Sequence, residues 1–284
     1  MEKIYRRKTS NKMKLEFWGV RGSMPASGKD KNKYGGYTSC SCLVTAEGEY
    51  IIVDAGTGIK NLGESLIKQW GEDSIEIHLL LTHFHLDHII GLPFFAPLYS
   101  PKTTLNIHAN LNPEETEKYL CGLMGARYFP VELGETPSKK VYKKIPEKEF
   151  HIRGATISCC PLTHPQTNIS YKIQEREKKI VFATDTEHSE EGIDLRLVSF
   201  AREADIFIYD AMFTPEEYES GRQGWGHSTW LEGTKLANEA RVRKLYLSHF
   251  NPDHSDKQID EFISLARQKF PQTYGATEGL TISL

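Results

Sequence analysis

The sequence predicts a layered α/β fold built as one domain. Three observations carry that reading. Short apolar strands alternate with amphipathic or capped helices from Lys14 to Leu284. Several strands end in residue types that bind metals or move protons: LLLTHFHLDH at Leu79, KIVFATDTEH at Lys179 and LYLSHFNPDH at Leu245. No low-complexity linker divides the 284 residues, a length that one large core can accommodate. In layered α/β proteins such strand ends gather on one edge of the sheet, where sites form.

Residues 1–13 are polar and basic and read as a flexible lead-in, with a single ordered domain spanning 14–284. Leu15 to Gly19 is a short strand that runs into the turn-rich Arg21 to Gly36. Cys40 to Thr45 and Tyr50 to Val53 form a hairpin across Glu47-Gly48. Asp54-Ala55-Gly56-Thr57-Gly58 then breaks the strand and opens a helix over Ile59 to Trp70. Ile75 to Leu81 and Leu105 to His108 are strands. Asn112-Pro113-Glu114-Glu115 starts a helix, with a cap, a proline at the first position and acids in the first turn. Gly134 to Glu149 reads as loop, and Lys139, Lys140, Lys143 and Lys144 in it as a solvated face. Further strands are expected at Ala155 to Cys160, Ile169 to Ile173, Lys179 to Ala183, Ile206 to Tyr209 and Lys244 to Leu247, and helices at Thr229 to Ala240 and Asp256 to Lys269.

Composition narrows the function. Lys and Arg number 35 against 38 Asp and Glu, a formal charge of -3, so the surface offers polyanions no broad attraction. That argues against a long nucleic-acid substrate and leaves a small anion bound at metals untouched. Five cysteines with no C-x-x-C, two of them adjacent, fit a reduced cytoplasmic protein. Cys40 and Cys42 share one strand face and read as packing. No apolar run reaches the ~20 residues of a membrane span, and the N-terminus lacks an apolar secretory segment.

The chemistry concentrates in LLLTHFHLDHIIGL, where His83, His85, Asp87 and His88 follow an apolar strand within six residues. On extended backbone His83 and His85 point the same way, while Asp87 and His88 face a neighbouring position. Imidazole and carboxylate suit Zn²⁺, with Mn²⁺ and Fe²⁺ as alternatives. His164, Asp185 and His249 each follow a strand closely and complete a two-ion set. His83, His85 and His164 would hold one ion, Asp87, His88 and His249 the other, and Asp185 would bridge. Such a pair generates hydroxide near neutral pH and clamps a tetrahedral phosphorus; di-iron redox chemistry would want more carboxylates.

T-H-F-H-L-D-H followed by a later His, Asp and His resembles the metallo-β-lactamase-fold hydrolases. FWGVRGSMP, YGGYTSC, VDAGTGI, HIIGLPFFAPLY, YFPVEL and GWGHS resemble that superfamily's phosphodiesterase branch. This branch includes class II cyclic-nucleotide phosphodiesterases, phage anti-Pycsar enzymes and, more distantly, the transfer-RNA 3′-processing endonuclease. The resemblance implies an αββα sandwich with two divalent ions, a homodimer, and a small anionic phosphodiester as substrate, 3′,5′-cyclic nucleotides foremost. It also implies that His227 in Gly226-His227-Ser228-Thr229 is the general acid and is held by Asp210. Physical chemistry agrees, because a carboxylate on one imidazole nitrogen fixes the tautomer and favours the protonated ring. Asp87 joins these two as a catalytic position. A simpler role for His227 is to cap the following helix. The endonuclease carries an RNA-gripping arm between the residues matching His164 and Asp185; here only 20 positions separate them, which disfavours transfer RNA.

Weaker signals surround the site. Arg21 and Ser23, in a polar turn, could reach phosphate; Phe94, Phe95 and Tyr99 could stack on a base or form core. Glu187 and His188 follow Asp185 and could support the site or hydrogen-bond a base, His188 being the further substrate-binding candidate, with surface positions as their plainer reading. Tyr37 replaces the family's Asn, and Phe250-Asn251 its His-Asp, which puts loop contacts to substrate in doubt. The competing functions are a lactonase or thioesterase of the same fold, an RNA-processing nuclease, and a non-catalytic binding module.

Overall fold

The computed structural model describes residues 12–189 and 192–284. The expected lead-in falls outside the described residues up to residue 11. Met13 is already buried, and its carbonyl accepts the Leu284 N–H at 2.9 Å. The described residues form two compact units, one within 1–19, 37–146 and 279–284, the other within 20–36 and 147–278. Each is one seven-stranded sheet with helices.

The first unit holds β1 (Lys14–Gly19), β2 (Cys40–Val44), β3 (Tyr50–Val53), α1 (Ile59–Trp70), β4 (Ile75–Leu80), α2 (Leu86–Ile89), β5 (Thr103–Ala109), α3 (Pro113–Leu123) and β6 (Lys139–Lys144). β1 to β6 lie in sequence order, and the C-terminal strand Thr281–Ser283 pairs with β1 at the edge. Pairing is antiparallel from β1 to β3 and parallel from β3 to β6. The parallel strands β4 and β5 are almost wholly apolar on one face. There Ile75, Ile77, Leu79, Leu105 and Ile107 meet Ile59, Leu62, Leu66 and Trp70 of α1 in one core. The i, i+3, i+7 spacing of those α1 residues gives the helix its buried stripe. α3 begins as expected, with the reciprocal Asn112–Glu115 cap and Pro113 in the first turn.

One expectation is corrected. Residues 139–144, read as loop, are β6, in parallel register with β5. The lysines masked the strand, since a sheet edge needs only one paired side and tolerates charge on its exposed residues.

The second unit holds β7 (Glu149–Ile152), β8 (Ala155–Leu162), β9 (Asn168–Glu175), β10 (Lys178–Ala183), α4 (Leu195–Ala201), β11 (Ile206–Asp210), α5 (Pro215–Glu219), α6 (Trp230–Glu239), β12 (Leu245–Ser248), α7 (Asp256–Lys269) and β13 (Thr273–Gly275). Its sheet again follows sequence order, antiparallel from β7 to β10 and parallel from β10 to β13. Three parallel strands, β10, β11 and β12, therefore end side by side and deliver Asp185, Asp210 and His249 to one edge. Among the described residues no helix is long and apolar enough to cross a membrane.

Candidate functional site

In the first unit the ligand-bearing loop is organised by a buried carboxylate. Asp54 follows β3 with φ 63°, an uncommon conformation for a non-glycine residue. It accepts the Thr82 N–H at 2.8 Å and the Thr82 hydroxyl at 2.9 Å, and faces His88 Nδ1 at 2.8 Å. With Nδ1 committed to Asp54, His88 turns Nε2 toward Asp87 Oδ2 at 3.3 Å. His83 stands with its ring 4.6 Å from that of His85 and 4.3 Å from that of His88. Asp87 and His88 open the short helix α2 and are buried, His88 completely. The close turn beneath needs glycine at Gly56, where a Cβ would stand 2.3 Å from the Asp87 carbonyl oxygen.

The second unit assembles a matching set. Asp185, Asp210, His227 and His249 place one ligand atom each within 4.8 Å of one another. His249 Nε2 lies 3.1 Å from Asp185 Oδ2, and His227 Nδ1 lies 3.1 Å from Asp210 Oδ2. The His227 and His249 rings stack at 5.2 Å, and His164 stands 5.6 Å from His227. Asp185 and His249 both have φ 59°, so two backbone positions are held in the left-handed region at this edge. Asp210 is fully buried and accepts N–H groups from Asp185, Met212 and Ser228 at 2.9, 3.0 and 3.1 Å. It ties the ends of β10 and β11 to the loop that carries His227.

Two glycines make room for these rings. A Cβ at Gly22 would meet the His249 ring at 2.3 Å, and one at Gly226 would meet His164 Nδ1 at 2.3 Å. The Gly226 carbonyl faces His164 Nδ1 at 2.8 Å, which leaves Nε2 as the nitrogen turned toward any ligand.

Each set fits a divalent cation on the chemistry of its donors. Two atoms bound to one ion at about 2.1 Å stand about 3 to 3.5 Å apart, the separation of His88 Nε2 from Asp87 Oδ2 and of His249 Nε2 from Asp185 Oδ2. Nearly every carboxylate concerned is buried, a placement that demands a compensating positive charge.

Residues 49–250 match the family described as the beta-lactamase superfamily domain. The chain belongs to this superfamily. It is 22% identical to ribonuclease Z of Thermoplasma acidophilum over 93% of this chain and 94% of that protein. In fold it is similar to the metallo-beta-lactamase fold protein YhfI from Bacillus subtilis, with TM-score 0.71, 21% identity and coverage of 97% of this chain and 100% of that one. It is also similar to a diphosphatase from the PhnP family, with TM-score 0.66, 18% identity and coverage of 96% and 98%. The α/β class expected from the sequence, in its αββα metallo-β-lactamase form, is that of the superfamily, and the chain is a metal-dependent hydrolase.

The outlying candidates fare differently. Arg21 is fully buried and donates to the carbonyls of Gly35, Asn251 and His254 at 2.8, 2.9 and 2.8 Å. Its expected reach to phosphate is corrected: the guanidinium straps the loop after His249 instead, and burial lowers its pKa. Ser23 is exposed, at φ 61°. Phe95 is fully buried against the α1 core, so it packs and cannot stack on a base. Phe94 is exposed and meets Phe129 edge-on at 5.5 Å, while the Tyr99 hydroxyl donates to the Pro93 carbonyl at 2.6 Å. His188 is half-buried, with Nδ1 2.9 Å from Ser228 Oγ and its ring 4.2 Å from Tyr218; burial lowers its pKa.

One residue with a clear role was not singled out from sequence. Asp54 could have been found, because an acid in the V-D-A-G-T-G turn after a strand is out of place unless it bonds something. Glu187 was noted beside Asp185, but its partners could not be foreseen. Its carboxylate accepts from the Tyr218 hydroxyl and from Gly224 and Gly226 N–H at 2.8, 2.6 and 2.8 Å, partners some thirty to forty residues away.

Proposed function

We propose that the enzyme hydrolyses small phosphodiesters, 3′,5′-cyclic nucleotides foremost. The observation that supports this best is the Asp210–His227 pair at 3.1 Å beside Asp185 and His249, an arrangement a lactonase or thioesterase would not need. His83, His85 and His164 would hold one cation and Asp87, His88 and His249 the second, with Asp185 available to both. Such ions, Zn²⁺ by preference of the donors, would supply a water of lowered pKa and positive charge against the phosphoryl oxygens. Asp210 accepts the Nδ1 proton of His227 and so presents Nε2–H. As the P–O bond to the ribose oxygen breaks, Nε2 gives that oxygen its proton. A homodimer in a reducing, cytoplasmic setting completes the reading, in keeping with five free cysteines.

Ribonuclease Z is the name carried by the curated relatives, and RNA processing is the second reading. Against it, His164 and Asp185 are joined by little more than the β9–β10 hairpin, which offers no arm to grip a long RNA. Turnover of 3′,5′-cyclic AMP, GMP, CMP and UMP, bis-p-nitrophenyl phosphate, a lactone panel and precursor transfer RNA separates the readings. Lactone hydrolysis without phosphodiester turnover would sink the proposal; cleavage of the RNA alone would replace it with the second. His227→Ala should lower phosphodiester kcat by about 100-fold or more with bound metal unchanged.

A further inference from the structure

The loop preceding His227 displays an aromatic ring whose exposure the hydrolytic residues do not explain. Trp225 is 55% exposed, the Arg222 guanidinium lies 4.7 Å from its ring centre, and Phe213 meets it edge-on at 6.3 Å. Phe213 is itself buried and stands 6.0 Å from the His227 ring. One apolar residue thus spaces Trp225 from the proposed general acid.

The loop is not a loose one. Gly224 and Gly226, on either side of Trp225, both donate their N–H to the Glu187 carboxylate at 2.6 and 2.8 Å. Both glycines have positive φ, 81° and 82°, a conformation that glycine adopts without steric cost. The Trp225 backbone is therefore pinned on both sides, while the largest apolar side chain of the loop faces water. Exposing a Trp surface forgoes burial free energy, and holding it on a fixed backbone removes the entropy that would oppose stacking. Arg222 lends one face of the indole a cation, so the assembly is flat, apolar and positively charged together. That combination matches a nucleobase attached to a phosphate, since every base has a π-face and stacking tolerates base identity.

We propose that Trp225, stiffened by Arg222 and spaced by Phe213, is the base-stacking subsite of this enzyme, and that its substrates are nucleoside phosphodiesters rather than phosphodiesters at large. The proposal rests on the phosphodiesterase reading above and extends it from the phosphate to the group the phosphate carries. Stacking without edge-specific hydrogen bonds also predicts a broad base preference.

The test compares binding of adenosine 5′-monophosphate with that of ribose 5-phosphate, by calorimetry on the metal-loaded protein. The wild type should bind the nucleotide about tenfold or more tightly than the sugar phosphate. Trp225→Ala should erase that difference and leave ribose 5-phosphate affinity unchanged, while Trp225→Phe should keep most of it. Nucleotide quenching of indole fluorescence should vanish in Trp225→Phe. Equal wild-type affinity for the two ligands, or a Trp225→Ala variant that still prefers the nucleotide, overturns the inference while leaving the phosphate site standing. Failure of the wild type to bind either ligand would instead count against the phosphodiesterase reading itself. A fall in oligomeric mass in Trp225→Ala, with nucleotide preference intact, would assign the ring to a protein contact and overturn the inference as well.

Discussion

At the scale of single residues, the site is shaped by an acid outside the proposed ligand set. Asp54 fixes the orientation of His88 and anchors Thr82, so Asp54→Asn should weaken metal affinity by about 10- to 100-fold in chelator competition, with the global fold retained by circular dichroism. Phe95 works through volume alone. Its complete burial beside α1 means that Phe95→Ala should cost about 3–5 kcal/mol in denaturant unfolding, and that substrate affinity should not change. The seven proposed ligands were legible in the sequence because rare residue types crowd six positions at His83–His88 and recur at strand ends. Arg21 and Phe95 were not, since type alone does not say whether a side chain faces water. A guanidinium with three carbonyl partners satisfies its donors internally, which no spacing rule anticipates.

Elements set how well those residues are aimed. Parallel β10, β11 and β12 end together, so a strand pattern with ligand-type residues one to two positions past the ends of β10 and β12 was enough to forecast the gathering of Asp185 and His249. Asp210, the last residue of β11, was expected only from the family resemblance. The loops were opaque. Glu187 clamps residues 218–226 through bonds whose partners lie far along the chain, and Gly226 permits His164 to approach. Gly226→Ala strains a backbone at φ 82° and drives a methyl group into the His164 ring; it should lower both metal content and thermal stability. Glu187→Gln keeps the shape while weakening acceptance of two backbone donors. Amide exchange at Gly224 and Gly226 should quicken, and kcat for nucleotides should drop more than metal affinity does.

Across the whole molecule, stability is tied to pH through groups distant from chemistry. His108 on β5 is buried beside His78, with Nε2 3.2 Å from His78 Nδ1. Burial first, then His78 and Lys143, depress its pKa to about 3 from the ordinary 6.5. The unfolded chain therefore binds a proton that the folded chain refuses between those values. Stability should be full above pH 6.5 and decline as the solution is acidified toward pH 3. In His108→Asn that acid slope, followed by thermal unfolding, should flatten. Composition suggested none of this, because a histidine inside an apolar strand looks like any other until its neighbour across the ladder is known.

The lysines of β6 carry a last implication. Four of its six residues, at 139, 140, 143 and 144, are cationic, and the strand closes one side of its sheet. A row of unsatisfied amides there would otherwise template another chain, and the ammonium groups repel any copy that approaches in register. Lys140 and Lys144 also donate to Thr136 and Asn112, so the clean trial is acetylation at Lys139 and Lys143, which should make concentrated solutions turn cloudy as copies zip edge to edge.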